Sequence, residues 1–241
     1  MTNINSYAPY NLFSPEGKLF QLQYAQAATE MGNTSVALTN GKEGVLIAHS
    51  PRRSSLCCKK AETGIKITKI NDSCIFSVAG ITNDGLFVSD YLHSKSLEEN
   101  ITKNREIHPI YVFDDLCSSM AYAALTNSKR LCGAAGILMC EFDGKIRISE
   151  LQPNSRAFEV RGTAIGNRNQ ACKTVLEKNL ENFSFSGNLI KIALEALLNA
   201  HPEGNDKSIK NQGLKSEEVE IYTIKVGEGI FKVESSEFII D

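Results

Sequence analysis

The spacing of hydrophobic residues divides the chain into helical and extended stretches. A first helix is predicted over 19–31, where apolar side chains recur at helical spacing on one face: Phe20, Tyr24, Ala27, Ala28 and Met31. Gly32 is a favourable residue for ending this helix. Four more helices are predicted over 83–99, 110–127, 167–182 and 186–200, and the last has a wide apolar stripe.

After Gly32 the hydrophobic period changes to one typical of β-strands. Asn40-Gly41 and Asp143-Gly144 are strong signals for hairpin turns, and Asn71-Asp72 separates a third pair of extended stretches. The predicted strands are 34–39, 44–49, 65–70, 74–79, 136–142, 145–151, 156–162, 219–226 and 230–233.

This order of elements predicts the fold class. Strands come in hairpins and helices come in pairs, which argues against a doubly wound parallel sheet because that fold alternates strand and helix. We therefore predict an α+β fold in which two antiparallel sheets stack and helix pairs cover their outer faces. No stretch reads as a linker, so residues 1–241 are predicted to form a single domain with an irregular N-terminal segment over 1–13.

Composition and charge narrow the range of partners. The formal net charge is −2, which favours neither nucleic acid nor an anionic membrane surface as a partner. No apolar run approaches the roughly 18 residues of a membrane span. The first ten residues are polar and lack the layout of a signal peptide.

Motifs for cofactor or metal chemistry are missing from the sequence. It contains no phosphate-binding loop, no G-x-S-x-G elbow, no H-E-x-x-H and no dinucleotide glycine fingerprint. The seven cysteines include the adjacent pair Cys57 and Cys58 but no C-x-x-C, and the four histidines are scattered. We expect no metal, no cofactor and reduced, structural cysteines.

The segment before and within the first predicted helix carries a resemblance to a known family. Ser14-Pro15-Glu16-Gly17, followed by Gln21 and Tyr24-Ala25, closely resembles the N-terminal signature of proteasome α subunits. Similarity continues over 32–38, 75–85 and 164–170, and with Leu176-Glu177 it is greatest to the alpha-6 kind, also called alpha type-1. The resemblance implies the four-layer αββα sandwich of N-terminal-nucleophile hydrolases, in agreement with the element order above.

The family contains catalytic β subunits and non-catalytic α subunits. A catalytic subunit exposes an N-terminal Thr after self-cleavage behind a Gly, and an acid and a Lys assist its hydroxyl. Here the Gly matches Gly32, the nucleophile position holds Asn33, the acid position falls near Ser50, and Lys66 matches the base. Thr34, one residue on, is expected to point to the opposite face. The resemblance therefore implies a chain without peptidase activity.

An α subunit has other tasks. In the family, seven α subunits form a ring on the β ring, their first helices pack on one another, and their N-terminal segments restrict the axial pore. C-terminal tails of regulatory ATPases or other activators dock between neighbouring α subunits, where a lysine pairs with the tail carboxylate. The resemblance thus implies protein partners only, with location in cytoplasm and nucleus.

Site residues follow from the same resemblance. The tail pocket is predicted at Lys66 and Gly80, with Gln23 standing where an acid usually precedes the signature Tyr, so that Lys66 is expected to lack that acidic partner. The gate cluster is predicted at Tyr7, Pro15 and Tyr24, with Ala8 where the family has Asp.

Two other functions remain open from the sequence. One is a catalytically active N-terminal-nucleophile hydrolase, which an N-terminus at Asn33 or Thr34 would indicate. The other is a stand-alone binding domain with the same fold, which a monomeric native mass would indicate.

Overall fold

A computed structural model of the chain describes residues 13–50, 66–126, 130–184, 188–200 and 219–234. The helices in these ranges are α1 Phe20–Glu30, α2 Thr82–Lys103, α3 Asp114–Thr126, α4 Asn169–Lys178 and α5 Leu189–Ala200. The strands are β1 Ser35–Thr39, β2 Glu43–His49, β3 Ile67–Asn71, β4 Cys74–Gly80, β5 Ala134–Phe142, β6 Lys145–Gln152, β7 Arg156–Val160, β8 Gly162–Ile165, β9 Val219–Lys225 and β10 Gly229–Val233.

The strands form two antiparallel sheets of five strands each. Their orders are β10-β9-β2-β1-β8 and β3-β4-β5-β6-β7. Helices α4 and α5 cover the first sheet, while α2 lies on β3, β4 and β5 of the second. The predicted α+β class and the sandwich of two antiparallel sheets with helices are therefore confirmed.

Three apolar clusters hold these layers together. One lies between α4, α5 and the first sheet and includes Leu197 and Ile221. A second fills the space between the sheets and includes Leu46 and Ile137. A third packs α2 and α3 on the second sheet and includes Phe113. Burial of apolar surface in these clusters is the main stabilising contribution to the fold.

A tight hairpin turn joins β5 to β6 where the sequence predicted it. Asp143 and Gly144 both have positive φ, 53° and 65°. Two central residues with positive φ define the turn whose twist matches that of the flanking strands. The turn sets the register in which Phe142 pairs with Lys145.

The prediction of one strand over 156–162 was wrong. Strand β7 ends at Val160 and pairs with β6 in one sheet, whereas β8 begins at Gly162 and pairs with β1 in the other. Arg161 lies between them, and its carbonyl accepts a hydrogen bond from the Thr39 N–H at 2.9 Å. Both strands are extended, so the pattern gave no sign that the chain changes sheets between them.

A buried ionic cluster lies close to this crossing. Glu150 of β6 is 3% exposed. Its carboxylate accepts a hydrogen bond from the Thr163 hydroxyl on β8. Each carboxylate oxygen also lies 3.3 Å from the Lys173 ammonium on α4. One carboxylate thus links both sheets and a covering helix.

Helix boundaries also differ from the predictions. The helix predicted over 167–182 ends at Lys178, and a 3-10 turn follows over Leu180–Ser184. The helix predicted over 110–127 begins as a 3-10 turn at Tyr111. Helix α2 runs one turn further than predicted, to Lys103, and ends at Asn104 with φ 48°. In the described ranges, every helix is too short or too polar to cross a membrane.

Candidate functional site

The signature residues form a closed turn in front of α1. The Gly17 N–H donates to the Ser14 carbonyl at 2.8 Å, and the Lys18 N–H donates to the Ser14 hydroxyl at 3.0 Å. Pro15 occupies the second position of this turn, where its fixed φ is favourable. The turn fixes where α1 begins.

Helix α1 packs on one end of the sandwich, against β4 and β5. Its buried side chains are Ala25 and Thr29, and the Thr29 hydroxyl donates to the Gln26 carbonyl at 2.7 Å. Small residues let the helix approach closely. At its end a Cβ on Gly32 would lie 2.1 Å from the backbone nitrogen of Gly80.

The apolar stripe of α1 faces largely away from the core. Met31 is 88% exposed and Tyr24 is 52% exposed, while Ala27 is also exposed. The ring of Phe20 stacks on that of Tyr24 with 6.4 Å between centroids. The core contact is made instead by Ala25 and Thr29, so α1 presents an apolar face to the outside.

A polar network holds the backbone around Gly80. The Ile81 N–H donates to the Gly133 carbonyl at 3.0 Å, and the Gly133 N–H donates to Asp84 Oδ2 at 2.8 Å. Arg130 donates to both oxygens of Asp84. These hydrogen bonds, that of Arg130 first, lower the pKa of the Asp84 carboxyl. Gly80, with φ 111°, is thereby held between α1 and β5.

The residues at the nucleophile position are engaged in backbone contacts. The Gly32 carbonyl accepts the Asn167 N–H at 2.8 Å. The Thr34 hydroxyl is buried and donates to the Asn167 carbonyl at 2.7 Å. The peptide bond between Gly32 and Asn33 therefore lies between two contacts to the turn that precedes α4.

Lys66 lies immediately before β3, and its ammonium donates to the Val78 carbonyl at 3.2 Å. Burial lowers the pKa of Lys66, and the negative charge of Glu220 opposes that shift. Glu220 belongs to β9 in the other sheet, and burial raises its pKa. The positive charge of Lys232 opposes that rise, as do hydrogen bonds from the backbone of Lys66 and Ile67 and from the Ser50 hydroxyl.

The expectation that Lys66 lacks the acid that usually precedes the signature Tyr stays a prediction. Gln23 lies on the exposed polar side of α1. The negative charge that acts on Lys66 comes instead from Glu220, across the gap between the sheets. No motif marked Glu220, because its role depends on strand pairing: it lies opposite Ala48, whose side chain faces the other sheet.

The predicted gate residues are only partly described. Tyr7 and Ala8 lie outside the described residues, as do Cys57 and Cys58. Pro15 lies in the exposed turn, and Tyr24 lies on the outer face of α1. Within the described ranges no three His, Cys, Asp or Glu side chains come together as metal ligands.

Comparison with known proteins places the chain in a family. The sequence model of the protein family described as "Proteasome subunit" matches residues 29–224 of this chain. The chain is 30% identical over 205 residues to proteasome subunit alpha type-1 of Drosophila melanogaster, covering 84% of this chain and 71% of that protein. It is 29% identical over 233 residues to proteasome subunit alpha type-6 of Saccharomyces cerevisiae, covering 91% and 94%.

An archaeal relative is similar over the same span. The proteasome subunit alpha of Methanobrevibacter smithii is 26% identical over 226 residues, covering 94% of this chain and 86% of that protein. The names of these relatives confirm the resemblance to α subunits of the type-1 and type-6 kinds. From the family match and these similarities together, the chain belongs to the proteasome family, on its α-subunit branch.

Proposed function

We propose that this chain is a non-catalytic α-ring subunit of the 20S proteasome core particle, acting in ubiquitin-dependent and other protein degradation. The observation that carries the proposal is the apolar face of α1 that points outward, formed by the exposed Tyr24, Ala27 and Met31 and bordered by the half-buried Phe20. A contiguous apolar face on the outside of a folded chain is typical of a protein contact. Its partner in this proposal is the first helix of a neighbouring α subunit, in a ring of seven that rests on the β ring.

The polar side of α1 supplies a matched control for this contact. Gln26 is exposed on the same helix but outside the apolar face. Met31→Glu places a charge in the proposed interface and should reduce incorporation of the full-length chain into proteasome particles at least tenfold. Gln26→Glu adds the same charge outside it and should leave incorporation unchanged. Equal incorporation of both variants would contradict the proposed contact.

Two features support the absence of peptidase activity. Asn33 stands at the nucleophile position, and a carboxamide lacks the hydroxyl that attacks a peptide carbonyl. The only hydroxyl beside it in sequence, that of Thr34, donates to the Asn167 carbonyl. A nucleophile also needs a nearby base. In a catalytic subunit the free amine of the processed N-terminus helps in this role, and here that amine would exist only if the chain were cleaved after Gly32. The expected result is an intact chain that hydrolyses no peptide.

We further propose that the region of Lys66, Gly80 and Gln23 receives the C-terminal carboxylate of an activator tail. The Lys66 ammonium is a donor for a carboxylate, and Glu220 competes with the ligand for it. Lys66→Glu should therefore abolish binding of an activator's C-terminal peptide to assembled particles. Lys69→Glu, three residues further on in β3, reverses an exposed charge that is paired with Asp72, and should leave binding unchanged. Unchanged binding by Lys66→Glu would remove the pocket role.

The gate role and the location of the protein are proposed on the family resemblance alone. Residues 1–13 with Tyr7, and the turn and helix residues Pro15 and Tyr24, are assigned to restriction of the pore. Deleting residues 2–12 should raise peptide hydrolysis by particles that contain the chain. We expect such particles in both cytoplasm and nucleus, and imaging of the tagged full-length chain tests this.

A further inference from the structure

Two cysteines face each other on neighbouring strands of the second sheet. Cys74 begins β4, Cys140 lies near the end of β5, and the register pairs them directly. Each is 1% exposed. At the neighbouring position the Glu141 N–H donates to the Ser73 carbonyl at 2.9 Å. Positions alternate in an antiparallel ladder, so Cys74 and Cys140 occupy a non-hydrogen-bonded pair, in which Cα atoms lie about 4.5 Å apart.

The side chains of this pair lie on one face and contact each other. Both pack into the apolar cluster between the second sheet and α2 and α3. Burial, and after it the neighbouring Cys140 thiol, raises the pKa of Cys74. Disulfides bridge Cα atoms about 4.4–6.8 Å apart. The backbone spacing of this pair falls at the short end of that range, so a bond needs no rearrangement of the strands.

We propose that Cys74 and Cys140 form a cross-strand dithiol that a peroxide oxidises to a disulfide joining β4 to β5. The two S–H bonds break and one S–S bond forms. One thiolate attacks peroxide oxygen to give a sulfenic acid and water, and the second thiol displaces a further water from it. One hydrogen peroxide is reduced to two waters for each pair oxidised, so atoms and electrons balance. This assignment does not depend on the proteasomal role.

Burial determines how the pair reacts. A thiol that is held protonated in an apolar cluster reacts slowly, because the thiolate is the nucleophile. Both strands are central in their sheet, between β3 and β6, so an oxidant reaches the sulfurs only when the sheet opens locally. Oxidation should therefore be slow in buffer and at least tenfold faster in urea below the unfolding midpoint. Once formed, the bond closes a loop of about 66 residues and constrains the unfolded chain.

Mass spectrometry of the full-length chain tests the proposal. In hydrogen peroxide and sub-denaturing urea, the peptides of Cys74 and Cys140 should join with a loss of about 2 Da, the two thiol hydrogens lost by the stated chemistry. Non-reducing peptide mapping should find the peptides of Cys74 and Cys140 linked. The oxidised chain should melt about 5–10 °C higher. A link between any other pair, or no link after the half-buried Cys117 and Cys132 have been oxidised, would overturn the proposal.

A third buried cysteine provides a matched control. Cys172 lies on α4 in the cluster on the opposite side of the sandwich. Cys74→Ala and Cys140→Ala should each abolish the linked peptides, whereas Cys172→Ala should retain them. Mapping of the wild-type chain needs no variant, so the test stands even if an alanine substitution weakens folding. If the peptides that are linked in wild type are still linked in Cys74→Ala or in Cys140→Ala, the assignment is wrong.

Discussion

Gly80 is a position where one added methyl group should strongly destabilise the fold. Its φ of 111° belongs to a region that residues with a side chain rarely adopt. A Cβ there would lie 2.2 Å from the Gly133 carbonyl oxygen and 3.1 Å from the Thr29 Cα. Gly133 cannot shift freely because Asp84 holds its N–H. Backbone strain of about 1–3 kcal/mol and overpacking of a similar size add to about 4 kcal/mol for Gly80→Ala.

The turn glycine Gly144 separates strain from steric overlap. It also has positive φ, 65°, but a Cβ there meets no atom within 4 Å. Gly144→Ala should cost about 1 kcal/mol. Urea denaturation of the two full-length variants measures the difference, which we expect to be about 3 kcal/mol. If Gly80→Ala costs no more than Gly144→Ala, the close packing of α1 on the end of β4 is wrong.

Three ionic groups give further predictions. Lys173→Met should lower the free energy of unfolding by about 2–3 kcal/mol in urea because it leaves the Glu150 carboxylate buried without its ammonium; the double variant with Glu150→Gln should recover most of this. The pKa of Asp84 is lowered in the fold, so its stabilisation is complete above its ordinary pKa of 3.8 and is lost as pH falls below it. The thermal stabilities of wild type and Asp84→Asn should therefore converge in acid and differ at neutral pH. The pKa of Glu220 is raised in the fold, so its ionisation opposes folding as pH rises above 4.5. The Glu220→Gln variant should therefore become more stable relative to wild type as pH rises through that range. A gain in stability that is confined to lower pH would contradict the assignment.

The sequence correctly predicted those secondary-structure elements that depend on local residue patterns. Hairpin turns such as Asp143-Gly144 need positive φ, which few residue types supply, so their positions were readable from the chain. The pairing of helices and hairpins gave the two-sheet sandwich. The change of sheet at Arg161 was not readable, because extended backbone looks the same whichever partner it pairs with.

The candidate site could be predicted from the sequence only where the residue types themselves indicate it. The turn at Ser14-Pro15 and the replacement of the nucleophile by Asn33 are visible as residue types. The outward orientation of Met31 was not, because helical periodicity places apolar residues on one face without saying what that face contacts. The charge of Glu220 beside Lys66 was missed because it arises from residues 154 positions apart in sequence that strand pairing brings together.

Native mass spectrometry of particles purified through the full-length chain from its own cell tests the central claim most directly. A non-catalytic α subunit should appear in a large particle together with other proteasome subunits, and its own N-terminus should lie ahead of Gly32. A monomer, or a chain shortened to begin at Asn33 or Thr34 that hydrolyses peptides by itself, would contradict the account.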